Sequence, residues 1–122
     1  MYNKKESTED YLEAILIAQN NGQSIRAVDL SRLMNFSKPS VSVALKKLKN
    51  EKYVEINEST GEIILTDTGR KIAENTLERH TILKKAFMSI GVNEETASED
   101  ACKVEHLISE ETFLAIKKHL DK

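Results

Sequence analysis

The hydrophobic period of this sequence changes only once. "YVEIN" (53–57) and "EIILT" (62–66) are short, β-branched runs on either side of "ESTG", which reads as a hairpin turn with Gly61 in it. The rest of the chain is written at helical spacing. One proline and four glycines in 122 residues leave few breakers, so the helices should be long. "STEDYLEAILIAQNNG" opens on Ser7 or Thr8 as N-cap, has Glu9 and Asp10 in its first turn, and stops at Asn20-Asn21-Gly22. Tyr11, Leu12, Ile15, Leu16 and Ile17 form its apolar stripe. "RAVDLSRLMN" is a second, short helix carrying Val28, Leu30, Leu33 and Met34. After "FSKPS", Pro39 suits the first turn of a third helix, "KPSVSVALKKLKNEK", with Val41, Ala44, Leu45 and Leu48 on one side. Behind the hairpin come a long amphipathic helix ending at Gly91, a helix capped by Asn93 and running through "DACKVEHLIS", and a last one opening at Ser109. Two short helices with a tight break and then a two-stranded hairpin describe a winged helix-turn-helix, so the fold class is mainly α. The expected division is residues 1–68 as the winged helix and 69–122 as a second, helical domain.

Composition narrows the classes. With 39% apolar and 31% charged residues the chain is globular, and no run approaches the roughly 18 apolar residues of a membrane span. "MYNKKESTED" has no apolar core of a signal peptide, and a single Cys forms no internal disulfide; a reducing cytoplasm is expected, with no membrane partner. The net charge of −2 argues against a polyanion bound by the whole surface and makes the local charge the useful question.

That local charge sits on the third helix. From Ser37 to Lys52 there are five lysines against Glu51 alone, a net of +4 inside a chain of −2. The second helix of a helix-turn-helix pair enters the major groove of DNA. Ser37, Ser40 and Ser42, with the free N–H groups behind Pro39, can take phosphates, as can Lys38, Lys46 and Lys47. Ser40 and Val43 are placed to touch base edges, Val43 through a thymine methyl. The helix has no Arg for bidentate guanine readout, and the "NESTG" tip is not basic, so shape and phosphate contacts should carry much of the specificity.

A second group is softer chemistry. In "DACKVEHLIS", Cys102, Glu105 and His106 fall on one face if the segment is helical, and offer a thiolate, a carboxylate and an imidazole. The string by itself equally describes a buried cysteine beside a surface Glu-His pair. Three donors on one face leave a four- to six-coordinate ion incomplete. Asp10 and Glu13, three apart on the first helix, and His80 on the fourth are further donors, though a first-turn acid pair also serves simply to complement the helix dipole. His119 in the last turn reads as a helix C-terminal cation.

Taken together, "TEDYLEAI", "SKPSVSVALKKL", "LTDTGRKIA", "ERHTIL" and "CKVEHLIS" resemble, in this order and at these separations, the diphtheria-toxin-repressor and manganese-transport-regulator family of metal-activated bacterial transcription factors. The similarity runs from about Ser7 to Lys122. It implies a homodimer whose N-terminal winged helix binds double-stranded operator DNA and whose helical second half binds metal and dimerises, in the short form without the SH3-like domain of longer members. It also implies a repressor of iron or manganese uptake genes, not an enzyme, with Mn²⁺ or Fe²⁺ as corepressor and Co²⁺ or Zn²⁺ as other fits. By the same resemblance Asp10, Cys102, Glu105 and His106 match metal ligands, and Glu13 and His80 match ligands used especially in the manganese branch. The sequence mixes branches: Cys102 is the iron-branch choice, while Asp10 and Glu13 follow the manganese branch. Lys84 and Ser98 stand where the iron branch places an acid and a histidine, which puts its ancillary site in doubt. The rival classes are a winged-helix regulator answering a small molecule or Cys102 oxidation, a metal-dependent hydrolase, and an interaction module. The hydrolase lacks a glycine-rich loop and a second acid pair at a strand end.

Overall fold

The computed structural model describes residues 8–121, so Ser7, one of the two expected N-caps, lies outside the described residues. The order is α1 (Thr8–Asn20), α2 (Ala27–Met34), α3 (Lys38–Asn50), β1 (Val54–Ile56), β2 (Ile63–Leu65), α4 (Asp67–Ser89), α5 (Glu94–Val104) and α6 (Glu110–Leu120). This is the expected mainly α fold with a two-stranded wing. The chain divides within α4, after Glu74, into two compact units.

In the N-terminal unit α1 packs on α2 and β2, and α2 on α3. The buried faces are those the apolar spacing prescribes: Leu12, Ile15 and Leu16 of α1, Leu30 of α2, and Val41, Leu45 and Leu48 of α3. Ile17 and Leu33 depart from their expected stripes and are exposed, because each lies at the edge of an apolar arc wider than its short helix can cover. The α2–α3 turn is closed by Asn35 in the left-handed region (φ 58°), by Ser31 Oγ donating to Phe36 O at 2.6 Å, and by the Tyr11–Phe36 ring pair at 5.8 Å. In the wing, Val54, Glu55 and Ile56 pair antiparallel with Leu65, Ile64 and Ile63. Asn57 Oδ1 accepts from the backbone of Ser59 and Thr60, and Gly61 (φ 79°) completes the turn. The other edge of β2 is engaged too, since Ile63 N donates to Ile25 O at 2.8 Å.

The C-terminal unit is the second half of α4 with α5 and α6. Leu83, Ala97, Ala101 and Phe113 are its buried apolar residues, a small core in which two alanines one turn apart let helices approach closely. Arg79 of α4 ties the unit together. Its guanidinium donates to the carbonyls of Glu105 (3.3 Å) and Ile108 (2.9 Å), pairs with Glu110 at 2.7 Å, and lies 5.1 Å above the Phe113 ring. On the surface Lys117 pairs with Glu78 at 2.6 Å, and the hydrogen bond to that carboxylate lifts its ammonium above the ordinary lysine range.

One element is shorter than its pattern. The helix expected to run through "DACKVEHLIS" ends at Val104. Ser109 caps α6 by accepting from Thr112 N (3.1 Å), which requires extended backbone (φ −71°, ψ 160°) at Ser109. The chain must leave the helix before that point, and it does so in a tight turn, with Leu107 N and Ile108 N both donating to Val104 O.

Candidate metal centre and nucleic-acid interface

Glu105 is the C-cap of α5 in right-handed helical geometry, and its N–H still donates to Ala101 O at 2.9 Å. The backbone therefore keeps Glu105 in helical register with Ala101 although the helix has formally ended, and His106 follows in the turn. Glu105 is only 1% exposed. Its Oε1 lies 2.9 Å from His80 Nδ1, across from α4. Its Oε2 lies 3.5 Å from His106 Nε2, within electrostatic reach, and has no hydrogen-bond partner among the described residues. A buried carboxylate oxygen left in this state costs several kcal/mol unless a charge or a donor meets it. Two imidazoles flank it, and neutral imidazole is a metal donor as readily as a cation. Cys102, reduced and half-buried, lines a cavity of about 500 Å³ with His80, Ser98, Glu99 and Lys103. A carboxylate between two imidazoles is a partial donor set for a divalent transition metal, and the Cys102 thiol opens onto the cavity that His80 also lines.

Ser98, one turn ahead of Cys102 on α5, closes the far side of His80, its Oγ 3.3 Å from Nε2. Lys84 pairs with Glu94 at 3.1 Å. The position of the iron-branch acid thus holds a cation already neutralised, and the position of the iron-branch histidine holds a hydroxyl. Asp10 and Glu13 belong to the N-terminal unit. Both face away from bulk water, Asp10 at 8% exposure and Glu13 half-buried. An acid serving only the α1 dipole would sit in solvent.

The DNA-facing candidates occupy one side of α3. Ser37 is the N-cap, accepting from Ser40 N (3.2 Å) and donating to Ser40 Oγ (2.9 Å), with Pro39 in the first turn. Burial of Val41, Leu45 and Leu48 turns Lys38, Ser42, Val43, Lys46 and Lys47 outward, Val43 at 71% exposure, while Ser40 is half-buried. Sequence reasoning missed Arg26. A Cβ built on Gly61 would lie 3.6 Å from Arg26 Cδ, so an exposed arginine runs along a wing tip that has no basic residue of its own. It also missed Arg79. Both act across about thirty residues of chain, where no local pattern could show them.

The comparisons agree with the geometry. Residues 5–61 match the family model described as the iron dependent repressor N-terminal DNA binding domain, and residues 66–122 match that of the iron dependent repressor metal binding and dimerisation domain. An HTH-type transcriptional regulator of Methanocaldococcus jannaschii is 36% identical over 119 residues, covering 96% of this chain and 94% of that protein. The transcriptional regulator MntR of Escherichia coli O157:H7 is 33% identical over 119 residues, covering 98% of this chain and 76% of its own length. A solved manganese-dependent transcriptional repressor, in complex with manganese, is 25% identical with a TM-score of 0.86, over 94% of this chain and 53% of that one. The chain spans about half the length of the solved proteins it matches. Among the described residues no helix is long and apolar enough to cross a membrane. With a winged helix followed by a metal-binding and dimerisation domain, the chain belongs to the diphtheria-toxin-repressor and manganese-transport-regulator family of metal-dependent transcriptional repressors.

Proposed function

We propose that this protein represses metal-uptake genes in the cytoplasm by binding operator DNA as a homodimer when loaded with Mn²⁺ or Fe²⁺, and that it is not an enzyme. The observation that carries this is the buried Glu105 carboxylate between His80 and His106, in the domain that matches a metal-binding family. The proposed ligands are Asp10 and Glu13 of α1 together with His80, Cys102, Glu105 and His106. A divalent ion held there offsets the mutual repulsion of the acids. An ion that binds the DNA-competent state more tightly shifts the population toward it by linkage, and that coupling is the regulation. Cys102 softens an otherwise carboxylate-rich set toward Fe²⁺, and the acids pull it back toward Mn²⁺. Lys84 and Ser98 leave the iron-type ancillary site without its acid and its histidine, which favours the ligand set above. Ser37, Lys38, Pro39, Ser40, Ser42, Val43, Lys46 and Lys47 are the proposed DNA contacts, with half-sites about 34 Å apart on one face of the duplex.

The test uses a DNA fragment selected from a random pool by the manganese-loaded protein. Fluorescence anisotropy should show at least ~10-fold tighter binding with Mn²⁺ than with chelator, and Glu105→Gln should abolish the difference. Equal affinity in both conditions would sink the proposal. Regulation that survives Glu105→Gln but is lost on oxidation of Cys102 would favour the redox reading instead.

A further inference from the structure

We propose that Ser98 is a positioning residue for the metal centre: its hydroxyl holds His80 so that Nδ1, not Nε2, is the ligating nitrogen. The inference rests on the metal reading above and adds a residue and an atom to it. His80 is held at both ends of its ring. Nδ1 faces Glu105 Oε1 at 2.9 Å, and Nε2 faces Ser98 Oγ at 3.3 Å. A neutral imidazole carries one proton, and which nitrogen holds it is set by the partner of the other. Beside an ionised carboxylate and without a cation, Nδ1–H donates to Glu105 and Nε2 accepts from the Ser98 hydroxyl. A ring ligating through Nδ1 carries its proton on Nε2 instead, and Ser98 Oγ then accepts. Only a group that both donates and accepts serves the two states without movement, and a hydroxyl is such a group. A histidine or carboxylate at position 98 would compete for the ion from the Nε2 side. Ser98 also opens onto the cavity shared with Cys102, so its ring contact is made at the rim of the centre and not in the helix core.

The experiment compares wild type, Ser98→Ala and Ser98→Thr. Metal-free melting temperatures should agree within about 2 °C, because the position is half-buried and alanine suits a helix. Competition against a chelating dye should show Mn²⁺ affinity about 10-fold weaker in Ser98→Ala and within about 3-fold of wild type in Ser98→Thr, the usual scale for an outer hydrogen-bond partner. Long-range ¹H–¹⁵N spectra of the zinc-loaded wild type, Zn²⁺ serving as a diamagnetic probe, should show His80 protonated at Nε2. Unchanged affinity in Ser98→Ala, as when water simply replaces the hydroxyl, overturns the proposal, and so does a proton on Nδ1 in the loaded protein. A wild type that takes up no metal overturns the metal reading itself, and with it this one.

Discussion

Gly69 and Gly22 separate two reasons for a glycine. At Gly69, in the first turn of α4, an added Cβ would overlap the carbonyl oxygen of Tyr53, although the backbone dihedrals there suit any residue. Gly22 has φ +77° and open space around it. Gly69→Ala is therefore expected to lower stability by about 3 kcal/mol through overpacking. Gly22→Ala should cost only about 1 kcal/mol through backbone strain. Thermal melts decide this, and a milder effect at Gly69 would mean that α4 can slide away from the wing. At this scale local rules read the capping residues well. Asn93 and Ser109 each accept from the backbone three residues on, as their positions before apolar periods suggest, and Ser37 does the same at the head of α3. They could not show that the Glu105 carboxylate lies buried, since His80, the imidazole that meets its Oε1, is twenty-five residues away in the chain.

Among the elements, α3 is the one whose two sides are most clearly written. Its apolar stripe faces the core and its lysines face water, because a 3.6-residue period leaves no other arrangement once Val41, Leu45 and Leu48 are buried. If Lys46 and Lys47 meet phosphates, Lys46→Gln with Lys47→Gln should reduce the slope of log K against log salt by about 2 and weaken specific and random fragments alike. An unchanged slope would move the phosphate contacts elsewhere, Arg26 beside the wing tip being the next residue to test. α5 is the element where the period misleads. Apolar residues at Val104, Leu107 and Ile108 continue a helical pattern, yet the N-cap geometry of Ser109 ends the helix at Val104. A single cap hydrogen bond, worth about 1 kcal/mol, sets a boundary that hydrophobic spacing blurs.

For the whole molecule the C-terminal unit poses the energetic question. It has few fully buried apolar residues, and Met88, Ile90, Leu107 and Leu114 stay exposed, Ile90 at 78% and Leu107 at 69%. A unit this small is marginal unless further apolar surface is covered. Phe113 is taken by the unit's own core under Arg79, so the exposed Leu107 and Leu114 are the better candidates for a dimer surface. Sedimentation of the wild type at micromolar concentration should show a dimer, and Leu114→Glu should shift it toward monomer; a wild-type monomer with and without metal would rule the dimer out. The sequence alone determined the order of helices, the wing, the basic face of α3 and the types of donor available, because each is a matter of local period, capping or composition. Tertiary structure alone decided that Glu105 is buried between two histidines, that Ser98 reaches His80, and that Arg79 holds the α5–α6 turn. Apart from Glu105 and its neighbour His106, those pairs lie 18 to 31 residues apart in the chain, and only the packing of α4 against α5 and α6 brings them within hydrogen-bonding distance.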